Sequence, residues 1–164
     1  MGKKNQNEKN SDIINITTHK RQFHDYEIIE KFEAGIALKG QEVKSIRAKH
    51  IELKNSYARV IHGQLYLLHC HIRPYEHSRI EALNPERDRK LLMHRREIVA
   101  IEKKIKLQGL VLLPLSVYIR NNNVKIQLGL GRPKKRHDKR AELKSRTEKR
   151  SINQAVKSSW KRPD

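Results

Sequence analysis

The apolar residues of this 164-residue chain are concentrated in its middle, where they form short runs separated by turn residues. Only 36% of all residues are hydrophobic, and most of the β-branched and aromatic ones lie between positions 23 and 131. Short runs bounded by Gly, Asn and Pro are typical of β-strands. We therefore expect one modest core built mainly from strands, with polar segments at both ends.

Within this middle region the pattern predicts about six short strands and two to three helices. Alternating apolar and charged residues over 26–34 predict a strand, and the residues around His62-Gly63 predict a hairpin. Helical spacing predicts helices over 40–48 and 87–108, the second ended by Gly109. The count fits a mainly β fold, a small antiparallel barrel of the oligonucleotide-binding type.

Positive charge dominates the chain, because 37 Lys and Arg outnumber 18 Asp and Glu and give a net charge of +19. Such a protein is attracted to polyanions and gains counterion-release entropy when it binds them. A membrane-binding protein would usually add an apolar helical face or a lipid-attachment signal, and neither is evident in this sequence. Nucleic acid is therefore the expected partner, and no membrane interaction is expected.

The single cysteine, Cys70, excludes an internal disulfide and fits a reducing compartment. The sequence has no apolar run of 18 residues and no secretory signal in its polar first dozen residues. These features predict a cytoplasmic protein.

The charge also divides the chain into three parts. Residues 1–22 carry a net charge of +3 and are expected to form a basic arm that is flexible at its start. Residues 23–131 carry +7 and form the predicted barrel. Residues 132–164 carry +9 with few apolar residues, so we expect a basic tail that is disordered when free. Three apolar residues of the tail would share one face of a helix formed on docking: Ile152, Val156 and Trp160.

Two arrangements suggest catalysis or metal binding, and both have a simpler interpretation. His24 and Glu33 could form an acid–base pair, but in a basic domain they more simply bind or orient a partner. His69 and His71 flank Cys70 on a predicted strand, where alternation points the thiol away from the imidazoles. No nucleophile elbow, phosphate loop or two-metal carboxylate cluster occurs in the sequence. We expect no enzyme activity, no metal and no cofactor.

Glu33 has two interpretations that the sequence leaves open. It could form a local salt bridge within a basic protein. Alternatively, a carboxylate at a strand end could accept hydrogen bonds from base amino groups or ribose hydroxyls, which basic side chains cannot do.

Several short blocks occur in an order and at a spacing that resemble one family. They are Lys20-Arg21, His24 to Tyr26, Phe32 to Gly35, Gly40 with Glu42 to Arg47, Ser56-Tyr57, Pro74 to Glu76, Asp88 to Leu92, Arg96 to Ile98 and His137 to Arg140. On these blocks the chain resembles the SmpB family, the small SsrA-binding proteins of bacteria. The resemblance covers essentially the whole predicted barrel and continues into the tail.

The resemblance implies an oligonucleotide-binding barrel that grips the tRNA-like domain of transfer-messenger RNA, chiefly its D-loop. It implies that elongation factor Tu delivers the complex to the empty A site of stalled ribosomes. There the tail would occupy the vacant message channel as a helix, close to the small-subunit decoding centre. Translation then resumes on the RNA's own reading frame and tags the incomplete peptide, without a small-molecule substrate.

Individual roles follow from the resemblance, residue by residue. The implied RNA-binding residues are Lys20, Arg21, His24, Glu33, Leu92, His94 and His19, the last two at positions where some members have asparagine. The implied decoding-centre and message-channel residues are Lys134, Lys135, Asp138, Lys139, Arg140, Ile152, Val156 and Trp160. Pro133 replaces a glycine common in the family, and its fixed φ is expected to restrict how the tail leaves the barrel.

Two other classes remain as alternatives. A structural ribosomal protein would share the charge, the barrel and the basic tail, but it would copurify stoichiometrically with ribosomes from growing cells. A ribonuclease would turn over labelled RNA, and that activity would vanish in His24→Ala.

Overall fold

The computed structural model describes residues 13–75 and 83–135, together with residues 147, 151–154 and 156. Within these ranges the elements are β1 (Ile13–Thr18), α1 (Lys20–Asp25), β2 (Tyr26–Ile36), α2 (Gly40–Arg47), β3 (Ile51–Glu52), β4 (Tyr57–Ile61), β5 (Gln64–Leu68), β6 (His71–Ile72), β7 (Arg89–Leu92), α3 (Arg95–Gln108), β8 (Val111–Arg120) and β9 (Asn123–Pro133).

Six strands close into a ring in the order β8, β4, β5, β7, β2 and β9, with β9 returning to β8. The pairs β8–β4, β4–β5, β5–β7, β7–β2 and β8–β9 are antiparallel. In the long β8–β9 hairpin, Val111 pairs with Gly131 and Arg120 pairs with Asn123. Strand β1 adds to β8 outside the ring. The predicted fold class, a mainly β antiparallel barrel with several helices, is confirmed.

Two glycines of β9 allow the ring to close. A Cβ atom on Gly131 would lie 2.7 Å from the backbone oxygen of Glu27 on β2, which is closer than any side chain tolerates. A Cβ atom on Gly129 would lie 2.9 Å from Cδ1 of Leu115. Glycine at these positions therefore permits the close approach of β9 to β2 and to the core.

Inward-facing apolar side chains form one core inside the barrel. Leu65 and Leu67 of β5, Leu91 of β7 and Leu128 of β9 are almost completely buried. Helix α3 adds Ile101, which is fully buried in the same cluster. Burial of each such side chain contributes about 1.5–3 kcal/mol to folding.

The core also contains an ion cluster. Arg89 on β7 is 1% exposed and donates from Nε to Oε1 of Glu42 on α2 over 2.8 Å. Arg87 donates to both oxygens of the same carboxylate, and the Lys39 backbone N–H donates to Oε2 over 2.8 Å. Burial raises the pKa of Glu42, but the hydrogen bonds from Arg87, Lys39 and Arg89 outweigh this effect and hold it below its ordinary value.

The turns follow the sequence closely. His62 and Gly63 have φ values of 49° and 71°, which fit the predicted two-residue hairpin between β4 and β5. Asn121 and Asn122 adopt the same left-handed region between β8 and β9. Gly109 ends α3 with a φ of 61°, as predicted.

The prediction of one helix over 87–108 is wrong in its first part. Residues 89–92 form β7, whose side chains alternate between buried and exposed, and α3 begins only at Arg95. The helix start is fixed by the His94 backbone N–H, which donates to the Glu97 carboxylate over 3.2 Å. Leu91 suited a helical pattern by spacing, but it faces the core from a strand.

The expected arm is shorter than residues 1–22. Residues 13–18 pair with β8, and residues 20–22 begin α1, so both segments belong to the folded body. Residues 1–12, including the start that we expected to be flexible, lie outside the described residues.

The chain separates into two compact units, residues 1–132 and 133–164. In the second unit, residues 151–154 are helical and Ile152 is exposed. No helix among the described residues has the length and apolar character needed to cross a membrane.

Candidate nucleic-acid interface

A row of outward side chains crosses adjacent strands of the barrel; we call it the outer row and define it as Asn15, Tyr118, Lys125, Glu33 and Leu92. Asn15 pairs with Tyr118 between β1 and β8, and Tyr118 pairs with Lys125 between β8 and β9. Directly paired residues share one face of a sheet. Glu33 of β2 lies next along the row, with Oε1 3.7 Å from Nζ of Lys125.

Glu33 is held by three neighbours. Oε2 accepts hydrogen bonds from the Tyr118 hydroxyl and from Nη1 of Arg120, the latter over 2.8 Å. The Tyr118 hydrogen bond, supported by the charges of Arg120 and Lys125, lowers the pKa of Glu33 against the opposing effect of partial burial. The side chain remains 38% exposed. The salt-bridge interpretation of Glu33 therefore describes real contacts, and the carboxylate is still accessible from outside.

Leu92 and His94 extend the outer row towards α3. Leu92 is 54% exposed and lies opposite Gly35, two residues after Glu33 on the same face of β2. The imidazole of His94 is exposed at the start of α3. The structure therefore brings together three of the predicted RNA-binding residues, Glu33, Leu92 and His94.

The other predicted residues lie on or beside α1. The helix carries Lys20, Arg21 and His24. The carboxylate of Asp25, also on α1, contacts two of them: it lies 3.3 Å from Nε of Arg21 and 3.4 Å from Nδ1 of His24. Nδ1 of His24 contacts Asp25 while Glu33 contacts Tyr118 and Arg120, so the two members of the suggested acid–base pair contact different groups. Nε2 of His24 is buried and has no hydrogen-bond partner among the described residues.

His19 precedes α1, and its backbone N–H donates to the Leu115 oxygen over 2.7 Å. Burial and the nearby Arg21 charge lower the pKa of His19, and Asp25 only partly opposes them. The ring is therefore neutral at physiological pH and can both donate and accept a hydrogen bond. Its Nδ1 is buried with no hydrogen-bond partner among the described residues.

Helix α1 also connects to the outer row. Nζ of Lys31 lies 5.6 Å above the ring of Phe23. Lys31 is an exposed residue of β2 that shares a face with Glu33. The two groups of predicted residues therefore lie on one continuous side of the barrel.

Sequence reasoning missed Tyr118, Arg120 and Lys125, which complete the surroundings of Glu33. A signal for two of them was present, because β8 alternates at its end between outward Tyr118 and Arg120 and buried Val117 and Ile119. That alternation would have predicted that β8 has an outward polar face. It would not have predicted the contact of Tyr118 with Glu33, which lies 85 residues earlier in the chain.

Of the predicted tail residues, Lys134 and Lys135 are described, and the latter is exposed. Ile152 and Val156 are helical, with exposed fractions of 61% and 50%. Four predicted residues lie outside the described part of the chain: Asp138, Lys139, Arg140 and Trp160.

Cys70 is fully buried, as predicted, and burial raises the pKa of its thiol to about 11. The continuous strand predicted through residues 69–71 is wrong, because β5 ends at Leu68, His69 has a φ of 53° and β6 begins at His71. His69 is exposed in this break between the strands. In the part of the chain that the structure describes, no three His, Cys, Asp or Glu side chains come close enough together to hold a metal ion.

A basic closed β-barrel that presents cations, a carboxylate, aromatic rings and an exposed leucine on one side has the features of a nucleic-acid-binding protein. A family model described as SmpB protein matches residues 16–158. The chain belongs to the SmpB family.

The chain aligns with SsrA-binding proteins over nearly the whole length of these relatives. The chain is 46% identical over 145 residues to an SsrA-binding protein of Carboxydothermus hydrogenoformans, covering 88% of this chain and 97% of the relative. It is 43% identical over 150 residues to the SsrA-binding protein of Protochlamydia amoebophila, covering 92% and 96%. A chain in a solved structure described as "tmRNA-SmpB: a journey to the center of the bacterial ribosome" is 45% identical, with a TM-score of 0.62 over 73% of this chain and 85% of that one.

Proposed function

We propose that this protein binds the tRNA-like domain of transfer-messenger RNA and brings it to the A site of stalled ribosomes for trans-translation. The observation that carries the proposal is the family match over residues 16–158, together with curated relatives that are SsrA-binding proteins. The protein acts by holding RNA and catalyses no reaction. A ribosomal partner supports a cytoplasmic location for this activity.

The RNA-binding surface is the continuous side of the barrel formed by the outer row and α1. Lys20 and Arg21 supply exposed positive charge for phosphates. Glu33 supplies an exposed acceptor for base or ribose donors, and Leu92 supplies an apolar contact. The D-loop of the RNA is the element that this surface would take.

The tail acts on the ribosome. Its proposed decoding-centre residues are Lys134, Lys135, Asp138, Lys139 and Arg140. Its Ile152, Val156 and Trp160 would form the apolar face of a helix in the message channel, and the helical backbone at 151–154 supports this. Elongation factor Tu would deliver the complex.

Gel-shift titrations of transfer-messenger RNA and bulk tRNA over a series of salt concentrations test the proposal. Each phosphate contact adds roughly 0.7 to the slope of log affinity against log salt for single-stranded segments. Because the surface also makes uncharged contacts, preference for transfer-messenger RNA should survive at salt concentrations that release bulk tRNA. Release of both RNAs at the same salt concentration would reduce the protein to a general RNA binder.

A further inference from the structure

A cleft of about 710 Å³ adjoins α1, and its lining includes none of the five residues of the outer row. It is bounded by α1, the start of β4, the end of α3 and the first half of β8. Its volume is in the range of pockets that hold small organic groups. Its partly exposed apolar lining includes Val60 and Ile105, and behind them lie the buried core residues Ala58, Leu110 and Leu112.

The rim of this cleft is positively charged. Arg21 and Lys106 each pair with an acid that also lines it, Asp25 at 3.3 Å and Glu102 at 2.8 Å. Two further cations of the rim, Lys54 and Arg59, are exposed and form no ion pair with any described residue. These two are available for a phosphate.

An aromatic ring stands at the same rim. Tyr57 lines the cleft, is 37% exposed, and has its ring centroid 5.6 Å from that of His69 at an interplanar angle of 31°. Exposed aromatic rings beside cations are the surfaces on which unstacked bases bind. His19 also lines the cleft and, being neutral, can hydrogen-bond to a base edge after a small turn of its ring.

We infer that this cleft takes one unstacked nucleotide of the bound transfer-messenger RNA, with the base against Tyr57 and the apolar lining and the phosphate near Lys54 and Arg59. The inference rests on the proposed function. Helix α1 forms a wall of the cleft with Arg21, and its Phe23 contacts Lys31, which shares a face of β2 with Glu33. Because α1 contributes to both surfaces, one RNA can contact both.

The test compares Tyr57→Leu with Tyr66→Leu in the full-length chain, by gel shift with the tRNA-like domain. Both tyrosines lie on the β4–β5 hairpin, but Tyr66 does not line the cleft. Tyr57→Leu should weaken binding about tenfold through lost stacking. Tyr66→Leu removes a ring that pairs with Arg59 but lies outside the cleft, so it should weaken binding far less. Because Tyr57 is exposed, its replacement should not disturb folding, and circular dichroism checks this. Lys54→Gln is a second variant that leaves the ring intact and should weaken binding several-fold.

The outcomes separate the cleft from the wider function. If the unaltered protein binds the tRNA-like domain and both Tyr57→Leu and Lys54→Gln bind equally well, the cleft inference is overturned while the proposed function stands. If the unaltered protein shows no preference for this RNA, the proposed function itself fails. Saturable binding of adenosine monophosphate to the cleft, seen by NMR, with no effect of Tyr57→Leu on RNA affinity would make it a site for free nucleotides and would also overturn the inference.

Discussion

Glu33 is an acid within a basic surface, and its contacts suggest a double role. Its carboxylate fixes Tyr118 and Arg120 by hydrogen bonds and keeps Lys125 nearby. Without it, three long side chains would lose their common anchor. The acid therefore orders the surface that surrounds it, and its exposed part remains able to accept a hydrogen bond from RNA.

Glu33→Ala should weaken binding of transfer-messenger RNA by about 1–3 kcal/mol, although it makes the protein more positive. Glu33→Gln changes the charge equally but retains an acceptor oxygen, so it should lose less affinity. Glu30→Ala is the matched control, because Glu30 pairs with Lys104 of α3 away from the outer row. Equal or tighter binding by Glu33→Ala in gel shifts would show that charge alone governs the surface.

Glu42 shows that a residue in a family-like block can serve the fold. It lies buried between Arg87 and Arg89, so replacing it leaves Arg89 buried without its counter-charge. Glu42 is on α2 and Arg89 is on β7, so the hydrogen bond between them joins two segments that are far apart in the sequence. This ion cluster gives a structural reason for Glu42 and Arg89 in two of the family-like sequence blocks, and RNA binding is not needed to explain them.

Glu42→Gln should lower the free energy of unfolding by about 3 kcal/mol at pH 7. The folded-state pKa of Glu42 lies below its ordinary value of 4.5, so its contribution is full above that value and is lost as the pH falls through the folded-state pKa. The difference between the two proteins in urea unfolding should therefore narrow below about pH 4.5. A constant difference down to the most acid pH would contradict the assignment.

At the level of elements, the sequence predicted strands and helices well where the spacing of apolar residues and the nature of the turn residues indicated the same boundary. The β4–β5 hairpin and α2 were predicted closely, since glycine or helical spacing marked each of them. The boundary between β7 and α3 was missed because Leu91 fits both periods. β1 was missed because pairing with β8 fixes it, and a single segment does not reveal its distant partner. α1 was missed because it has only six residues.

The apolar face of the tail helix provides the test at this level. Replacing Ile152, Val156 and Trp160 with serine or asparagine retains the charge and removes the face that would be buried on docking. This variant should bind RNA and reach the ribosome but fail to support peptide tagging in a translation assay with truncated messages. Full tagging would show that the tail works by charge alone.

For the whole molecule, the division into two units allows the proposed RNA-binding body and the proposed ribosome-binding tail to be tested apart. Ending the chain after Pro133 retains all of β9 and removes most of the basic tail. Affinity for transfer-messenger RNA should remain nearly intact by gel shift, while tagging on stalled ribosomes should be abolished. A severe loss of RNA affinity would mean that the charge of the tail, and not the barrel surface, holds the RNA.

The candidate site was only partly predictable from the sequence, because residues that are distant in the chain form it together. Residue type and family-like blocks identified Glu33, Leu92 and the α1 residues. Tyr118 and Arg120 come from a strand far along the chain, and only closure of the barrel brings them to Glu33. The cleft beside α1 depends on the same closure, because β4, α3 and β8 meet there.

Closure of the ring leaves β1 in an unusual position, since it pairs with β8 on one side and is the outermost strand of its sheet among the described residues. Ile13 and Ile14 on it are more than half exposed. Open strand edges with apolar side chains recruit other strands. Proteolytic loss of β1 would uncover the backbone of residues 116–120 of β8, the segment that β1 pairs with in the intact chain. We expect chains clipped after residue 18 to associate with one another, because the uncovered edge can pair with a strand of a second copy.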